Sequence, residues 1–87
     1  MENNVVFINS KDKYGVQMRR IGICLKKYKE CIIKTRGNKN IGNMVNMVSF
    51  MMEGNKIKNF KISGNKFIGE DKKERYVPEL ELTLYSG

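Results

Sequence analysis

Histidine is absent from the 87 residues of this chain. That removes a Ser-His-Asp triad, a Cys-His nucleophile pair and any imidazole metal ligand. Only Cys24 and Cys31 supply sulfur, far short of a four-cysteine zinc site. No metal and no cofactor are expected. The two cysteines are flanked by ordinary apolar positions and read as reduced core or surface thiols of a reducing compartment, with a disulfide left open by the spacing. No apolar run approaches the ~18 residues of a membrane span. Met-Glu-Asn-Asn and a short apolar run lack the charged n-region and long h-region of a signal peptide. An intracellular protein is expected, not a secreted one, with no membrane partner. Neither Gly-x-x-x-x-Gly-Lys-Ser/Thr nor Gly-x-Gly-x-x-Gly occurs, and the RNA-recognition sheet signature with its aromatic stack is missing. The neighbouring acids, Glu70-Asp71 and Glu79-x-Glu81, fall in a polar connection and on one side of a strand. Neither is a preorganised acid/base pair, so no enzymatic activity and no catalytic residue are expected.

What the chain has is positive charge. Lys and Arg number 17 against 9 Asp and Glu, giving +8 and a pI near 9.7. On a body of 10.1 kDa that balance attracts polyanions, nucleic acid foremost. Hydrophobic residues at 40% and charged residues at 30% fit a globular domain. The length makes it one domain, residues 1–87. A chain this short buries only about 60% of its unfolded surface, so a surface function or an oligomer is expected before a deep private pocket.

Hydrophobic periodicity sets out the elements. Val5-Val6-Phe7-Ile8 is a short apolar strand, and Asp12 is a candidate cap for the first helix. Tyr14, Met18, Ile21, Leu25 and Tyr28 recur at helical spacing, with Gln17, Arg19, Arg20, Lys26 and Lys27 off that face. Gly15 and Gly22 sit inside this helix, marking either close packing or neutral surface positions. Cys31-Ile32-Ile33 is a second strand. Ile41, Met44, Val45, Val48, Met51 and Met52 return to helical spacing, and Gly54 is placed as a left-handed stop. The methionines read as core or interface filler. Ile57, Phe60 and Ile62 form a third strand ending in a Ser63-Gly64-Asn65 turn. Lys66 to Arg75 is a polar hairpin segment. Val77 to Leu84 is a fourth strand, with Pro78 near its start or at a bulge. The order strand-helix-strand-helix-strand-strand requires a βαβ crossover and a mixed sheet.

The charge is uneven. Residues 9–75 hold all 17 basic residues and six acidic ones, +11, whereas residues 76–87 hold only Glu79 and Glu81. In a βαβ unit the loops after the first two strands open on one sheet edge. Lys11, Lys13, Arg36 and Lys39 are thus expected to converge near two helix N-termini, a setting that suits phosphate. Lys66, Lys72, Lys73 and Arg75 would extend the footprint along the hairpin.

These blocks together resemble the Alba family of small basic DNA- and RNA-binding proteins. Asn4-Val5-Val6-Phe7-Ile8-Asn9-Ser10-Lys11 is similar to the family's first strand and lysine loop. Cys31-Ile32-Ile33-Lys34-Thr35-Arg36-Gly37 is similar to its (I/V)-V-I-K-A-R-G strand, and the spacing between the two blocks agrees without a gap. Ile41 to Phe50, Ile57 to Ile62 and Leu80-Glu81-Leu82 resemble its second helix and last two strands. The resemblance implies a two-layer α+β domain, βαβαββ, with a four-stranded mixed sheet and two helices, like the C-terminal domain of a bacterial translation initiation factor. It also implies a dimer that binds duplex DNA or RNA, with hairpin arms in the minor groove, on chromatin in the nucleus or on RNA in the cytoplasm. Ser10 stands where the family has the first of two adjacent lysines, the one that acetylation tunes in some relatives; only Lys11 matches. Asn38-Lys39-Asn40-Ile41 is one residue longer than the family's Arg-Ala-Ile. Met44, Met47, Met51 and Phe60 are expected at the dimer interface. The wider family includes paired ribonuclease P and MRP subunits that bind RNA as heterodimers, and Tyr14 to Arg20 has something of that branch. A heterodimer with a related domain is therefore the alternative.

Overall fold

The computed structural model describes residues 4–9 and 11–86. They form β1 (Val5–Ile8), α1 (Tyr14–Tyr28), β2 (Glu30–Arg36), α2 (Asn38–Met51), β3 (Asn55–Ile68) and β4 (Glu74–Ser86), in the predicted order. The sheet order is β1-β2-β4-β3. β1 and β2 are parallel, with Val5 opposite Ile32 and Ile8 opposite Thr35, while β4 runs antiparallel to both β2 and β3. This is the mixed βαβαββ sheet that the sequence implies.

Residues of a single parity on each strand form the core. Val6 and Ile8, Cys31 and Ile33, and Leu80, Leu82 and Leu84 are buried together with Ile21, Cys24 and Leu25 of α1 and Met44, Met47 and Val48 of α2. Side chains alternate across a strand, so both helices cover one face of the sheet and leave the other open. Burying each large aliphatic side chain contributes about 1.5–3 kcal/mol, and this one-sided core therefore dominates the stability. Both cysteines are free and buried in it. The Cys24 thiol donates to the Glu30 carbonyl at 3.6 Å. Burial, with a hydrogen bond and charge interaction from Cys24, pushes the Cys31 thiol well above its ordinary value, so it stays protonated and unreactive.

Several expectations change here. Met44 and Met47, expected at a dimer contact, are 0% and 1% exposed inside the protomer's own core. With Val48 they occupy the stripe of α2 that faces the sheet, and a second copy cannot reach them without unpacking it. On α1 the buried stripe is Gln17, Ile21, Cys24 and Leu25. Gln17, expected on the outer face, is inside because its amide bonds to carbonyls of the loop after β1. Asp12 does not cap α1. Lys13 occupies that position without a side-chain bond, and Asp12 pairs with Arg20 at 3.5 Å. Gly54 adopts the expected left-handed conformation, φ 85°.

A Cβ built on Gly15 or Gly22 meets nothing within 4 Å, so both are neutral positions and mark no close packing. Replacing glycine inside a helix by alanine gains about 1 kcal/mol. Gly22→Ala is therefore expected to raise the melting temperature by about 4–8 °C. An unchanged or lower midpoint in a circular-dichroism melt would contradict this.

The largest departure lies beyond Ile62. Ser63-Gly64-Asn65 is not a turn; β3 continues to Ile68, and Gly64 sits opposite Pro78. The turn is at Gly69 to Lys73, where the Lys72 N–H donates to the Gly69 carbonyl at 2.9 Å and the Gly69 N–H to the Lys73 carbonyl at 3.1 Å. The last β2 residue paired to β4 is Arg36, opposite Glu79. Apart from the Pro78 carbonyl at their root, residues 64–68 and 74–78 hence pair only with each other and form an arm of about 16 Å, at 3.3 Å per residue. Pro78 fits inside β4 because its carbonyl accepts from the Gly37 N–H at 2.9 Å, just past the end of β2. In an antiparallel ladder a residue's N and O face the same side, so the missing donor of Pro78 breaks no bond to β3.

Candidate nucleic-acid interface

Because β1 and β2 are parallel, the loops after them open at one edge of the sheet. The Thr35 hydroxyl donates to the Ile8 carbonyl at 3.0 Å and fixes the two strand ends together. The first loop is built on Asn9. Its side-chain oxygen accepts from the Lys11 N–H at 3.0 Å, and its carbonyl accepts from the Asp12 N–H at 3.1 Å. Asn9 thereby makes the side-chain turn that asparagine favours. Gln17 closes the loop from beneath. Its amide nitrogen donates to the Asn9 carbonyl and, at 3.4 Å, to the Asp12 carbonyl, and its buried oxygen has no hydrogen-bond partner among the described residues.

The second loop is a single hinge. Gly37 takes φ 94° and donates to Pro78, a left-handed conformation that favours glycine. The Asn40 amide donates to the Arg36 carbonyl at 2.8 Å. The strand, the helix start and the root of the arm therefore meet at Gly37.

Both helices begin against the rule for helix electrostatics. Neither has a side-chain N-cap bond and neither has an acid in its first turn. Instead Lys13 is the N-cap of α1, and Lys39 lies in the first turn of α2. A cation at the positive end of a helix dipole is unfavourable by about 0.3–1 kcal/mol. An anion at these ends would reverse the sign and engage the unpaired N–H groups.

All eight expected contact residues are exposed, but they fall into two groups. Lys11, Lys13, Lys39, Lys72 and Lys73 make no ion pair among the described residues. Arg36 is held by Glu79 at 2.9 Å, Lys66 by Glu74 at 2.8 Å and Arg75 by Asp71 at 2.7 Å. Exposed pairs of this kind are worth at most about 1 kcal/mol, so these three can exchange a carboxylate for a phosphate. Lys11, Lys13, Arg36 and Lys39 gather at the sheet edge, and Lys66, Lys72, Lys73 and Arg75 lie on the arm. Ser10 lies outside the described residues.

On the helix side an apolar groove of about 530 Å³ separates α2 from β3 and β4. Ile41, Val45 and Met52 line one wall, and Ile57, Phe60 and Ile62 the other. Phe60 is 57% and Ile62 70% exposed. Met51 is half-buried at the margin of the core.

This architecture has solved counterparts. An Alba protein from Thermoplasma volcanium superposes with a TM-score of 0.74 at 19% identity, over 93% of this chain and 98% of that one. The fold is Alba-like. ALBA1 from Trypanosoma brucei superposes with a TM-score of 0.70 at 14% identity, over 100% of this chain and 72% of that one. No protein-family model matches the sequence, and no curated protein matches it either. At such identities what the chains share is the Alba-like fold.

Sequence reasoning missed Asn9 and Gln17 as the residues that shape the Alba-like first loop. An asparagine at the end of an apolar run, eight residues before a glutamine, is the only trace they leave. No helix among the described residues is long and apolar enough to cross a membrane.

Proposed function

We propose that this chain, acting as one unit over residues 1–87, is a non-enzymatic nucleic-acid-binding protein that works as a dimer inside the cell, on chromatin or on RNA. The carrying observation is the pair of uncapped helix N-termini, each bearing a lysine against its own dipole, at one edge of the sheet. Local rules are broken at functional sites and satisfied by the ligand. Lys11, Lys13, Arg36 and Lys39 contact phosphates there, and Lys66, Lys72, Lys73 and Arg75 carry the contact along the arm. None of these groups forms a reading helix, so recognition is largely independent of sequence. Two copies associate through the apolar face that α2 and β3 present, with Phe60 of the groove and Met51 of α2 in the contact. The likeness of the fold to Alba proteins adds to this reading.

The test is a salt titration on matched 30-mer duplex DNA, duplex RNA and single-stranded RNA, with the solution mass recorded. Five unpaired lysines per protomer predict a log-log slope on B-DNA of about −4 to −5 per protomer. A slope near zero would sink the proposal. A monomer that binds weakly and gains both mass and affinity from a related domain would favour the heterodimeric alternative.

Gln17 provides a smaller test. Gln17→Ala removes no charge, yet deletes both bonds by which α1 holds the Lys11 loop. It is expected to lower the unfolding free energy by about 1–3 kcal/mol and to weaken duplex binding. Full-strength binding by a folded Gln17→Ala protein would show that the loop needs no such staple.

A further inference from the structure

The face of the sheet opposite the helices is uncovered, and at its loop end it forms a concavity of about 690 Å³. Phe7 stands in it, 66% exposed. The alternation of β1 puts Val6 and Ile8 into the core and Phe7 outside, and nothing in the fold requires an aromatic ring there. The Lys34 ammonium lies 6.0 Å from the ring centroid. Arg36, Lys61, Asn9 and Asn40 share the lining; Asn9 belongs to the first basic loop and Asn40 to the first turn of α2, beside Lys39.

The charges of this face select the occupant. Its three acids are each matched to a base. Glu81 faces Lys34 at 3.3 Å, Glu79 faces Arg36 at 2.9 Å, and Glu30 faces Lys58. Lys61, opposite Glu81 in the ladder, and Lys56, opposite Tyr85, make no ion pair among the described residues. The face thus offers an exposed ring in a setting of net positive charge. An aromatic ring beside cations is what an unpaired nucleobase and its flanking phosphates need. Bases inside an intact duplex are already stacked and cannot reach it.

We infer that Phe7 is a stacking platform for an unpaired base, so that this open face binds single-stranded nucleic acid, DNA or RNA, through a base contact that a duplex does not make. The inference rests on the nucleic-acid reading proposed for the basic edge and adds a second class of substrate. A single-stranded tract runs its phosphates along the basic loops and lays one base on Phe7 beside Lys34, with Lys61 farther across the same face.

The experiment compares wild type, Phe7→Ala and Phe7→Trp on 12-mers of deoxythymidine and of uridine and on a 30-mer DNA duplex at one salt concentration. Phe7→Ala is expected to weaken single-strand binding about tenfold and to leave duplex binding within about twofold, with an unchanged melt because the ring is exposed. The chain has no tryptophan, so Phe7→Trp gives a single reporter. Its fluorescence should be quenched by the 12-mers and not by the duplex. The inference is overturned if Phe7→Ala binds the 12-mers as wild type does, if it loses both ligands equally, or if the fluorescence of Phe7→Trp ignores the 12-mers. In the first and third cases normal duplex binding would leave the broader reading standing. Wild type that binds neither ligand would overturn both.

Discussion

Reversing two charges, Lys11→Glu with Lys39→Glu, is expected to raise the dissociation constant for duplex DNA about 100-fold. Hydrogen bonds to charged groups are worth about 1.5–3 kcal/mol each, and each reversal also adds repulsion. The salt slope should flatten by about 2 per protomer, one for each lost phosphate contact. These two residues are chosen because neither makes an ion pair among the described residues, so their replacement removes no internal contact. A surface change of this kind alters stability by about 0.5 kcal/mol or less. Each reversal also places an acid near a helix N-terminus, where it is favourable. The melt should therefore hold or rise while binding falls. Arg36→Glu is a poorer probe, because it would set a second carboxylate against Glu79, now 2.9 Å from the guanidinium. A folded double variant that binds duplex DNA as wild type does would remove the sheet-edge loops from the binding surface.

The second large effect is expected in the apolar groove. Wild type should run at twice its 10.1 kDa chain mass, and Phe60→Asp with Ile62→Asp should run as the single chain. Both side chains are exposed in the protomer, so the fold tolerates the change. In a dimer they would be buried, and an unpaired carboxylate taken out of water costs several kcal/mol. Losing the second copy also halves the number of basic loops that one duplex can engage at once. Linked sites gain about 10²–10⁴ in avidity, and the monomeric variant should lose affinity on that scale although no basic residue has changed. A wild type that is already monomeric, or a variant that stays dimeric, would rule out the groove as the interface. Met44 and Met47 are unsuitable for this test. Their truncation would open a cavity in the core and unfold the protomer before it reported on association.

The two predictions act on different faces. Charge reversal changes the salt slope and leaves the mass alone; the groove variant changes the mass and leaves each protomer's contacts in place. A protein that follows both patterns binds through the basic edge and arm and assembles through the groove. Phe7 lies outside the groove, since it points to the sheet face opposite α2, and its concavity meets the basic edge at Arg36.

Local periodicity, the sign of the charge and the short blocks that resemble Alba proteins carry what is legible in the chain alone. The helix spacing of Tyr14 to Tyr28 set that element's residue bounds, because a buried stripe repeats every three or four residues wherever the helix sits. The apolar blocks at Val5–Ile8 and Cys31–Ile33 revealed two core strands. The clustering of lysines after those strands revealed a basic edge, since parallel strands joined by a helix end on the same side. The absence of histidine removed most catalytic chemistry outright.

Tertiary contacts settled the rest, and in each case a partner outside the element was responsible. The sequence places a polar hairpin at Lys66 to Arg75, but the strand pairing that builds its arm was invisible because both faces are solvated; with no apolar alternation between residues 63 and 76, only the cross-strand ladder to β4 shows that it is a strand pair. Gln17 was misplaced because burial of a polar side chain depends on carbonyls five and eight residues away. The methionines of α2 read as core or interface, and the docking of α2 on the sheet put Met44 and Met47 inside, while the edge strand β3 left Phe60 and Ile62 outside. Phe7 looked like any core residue in an apolar run. The side of the sheet that the helices cover made it an exposed ring, and helix packing is a property of the whole fold.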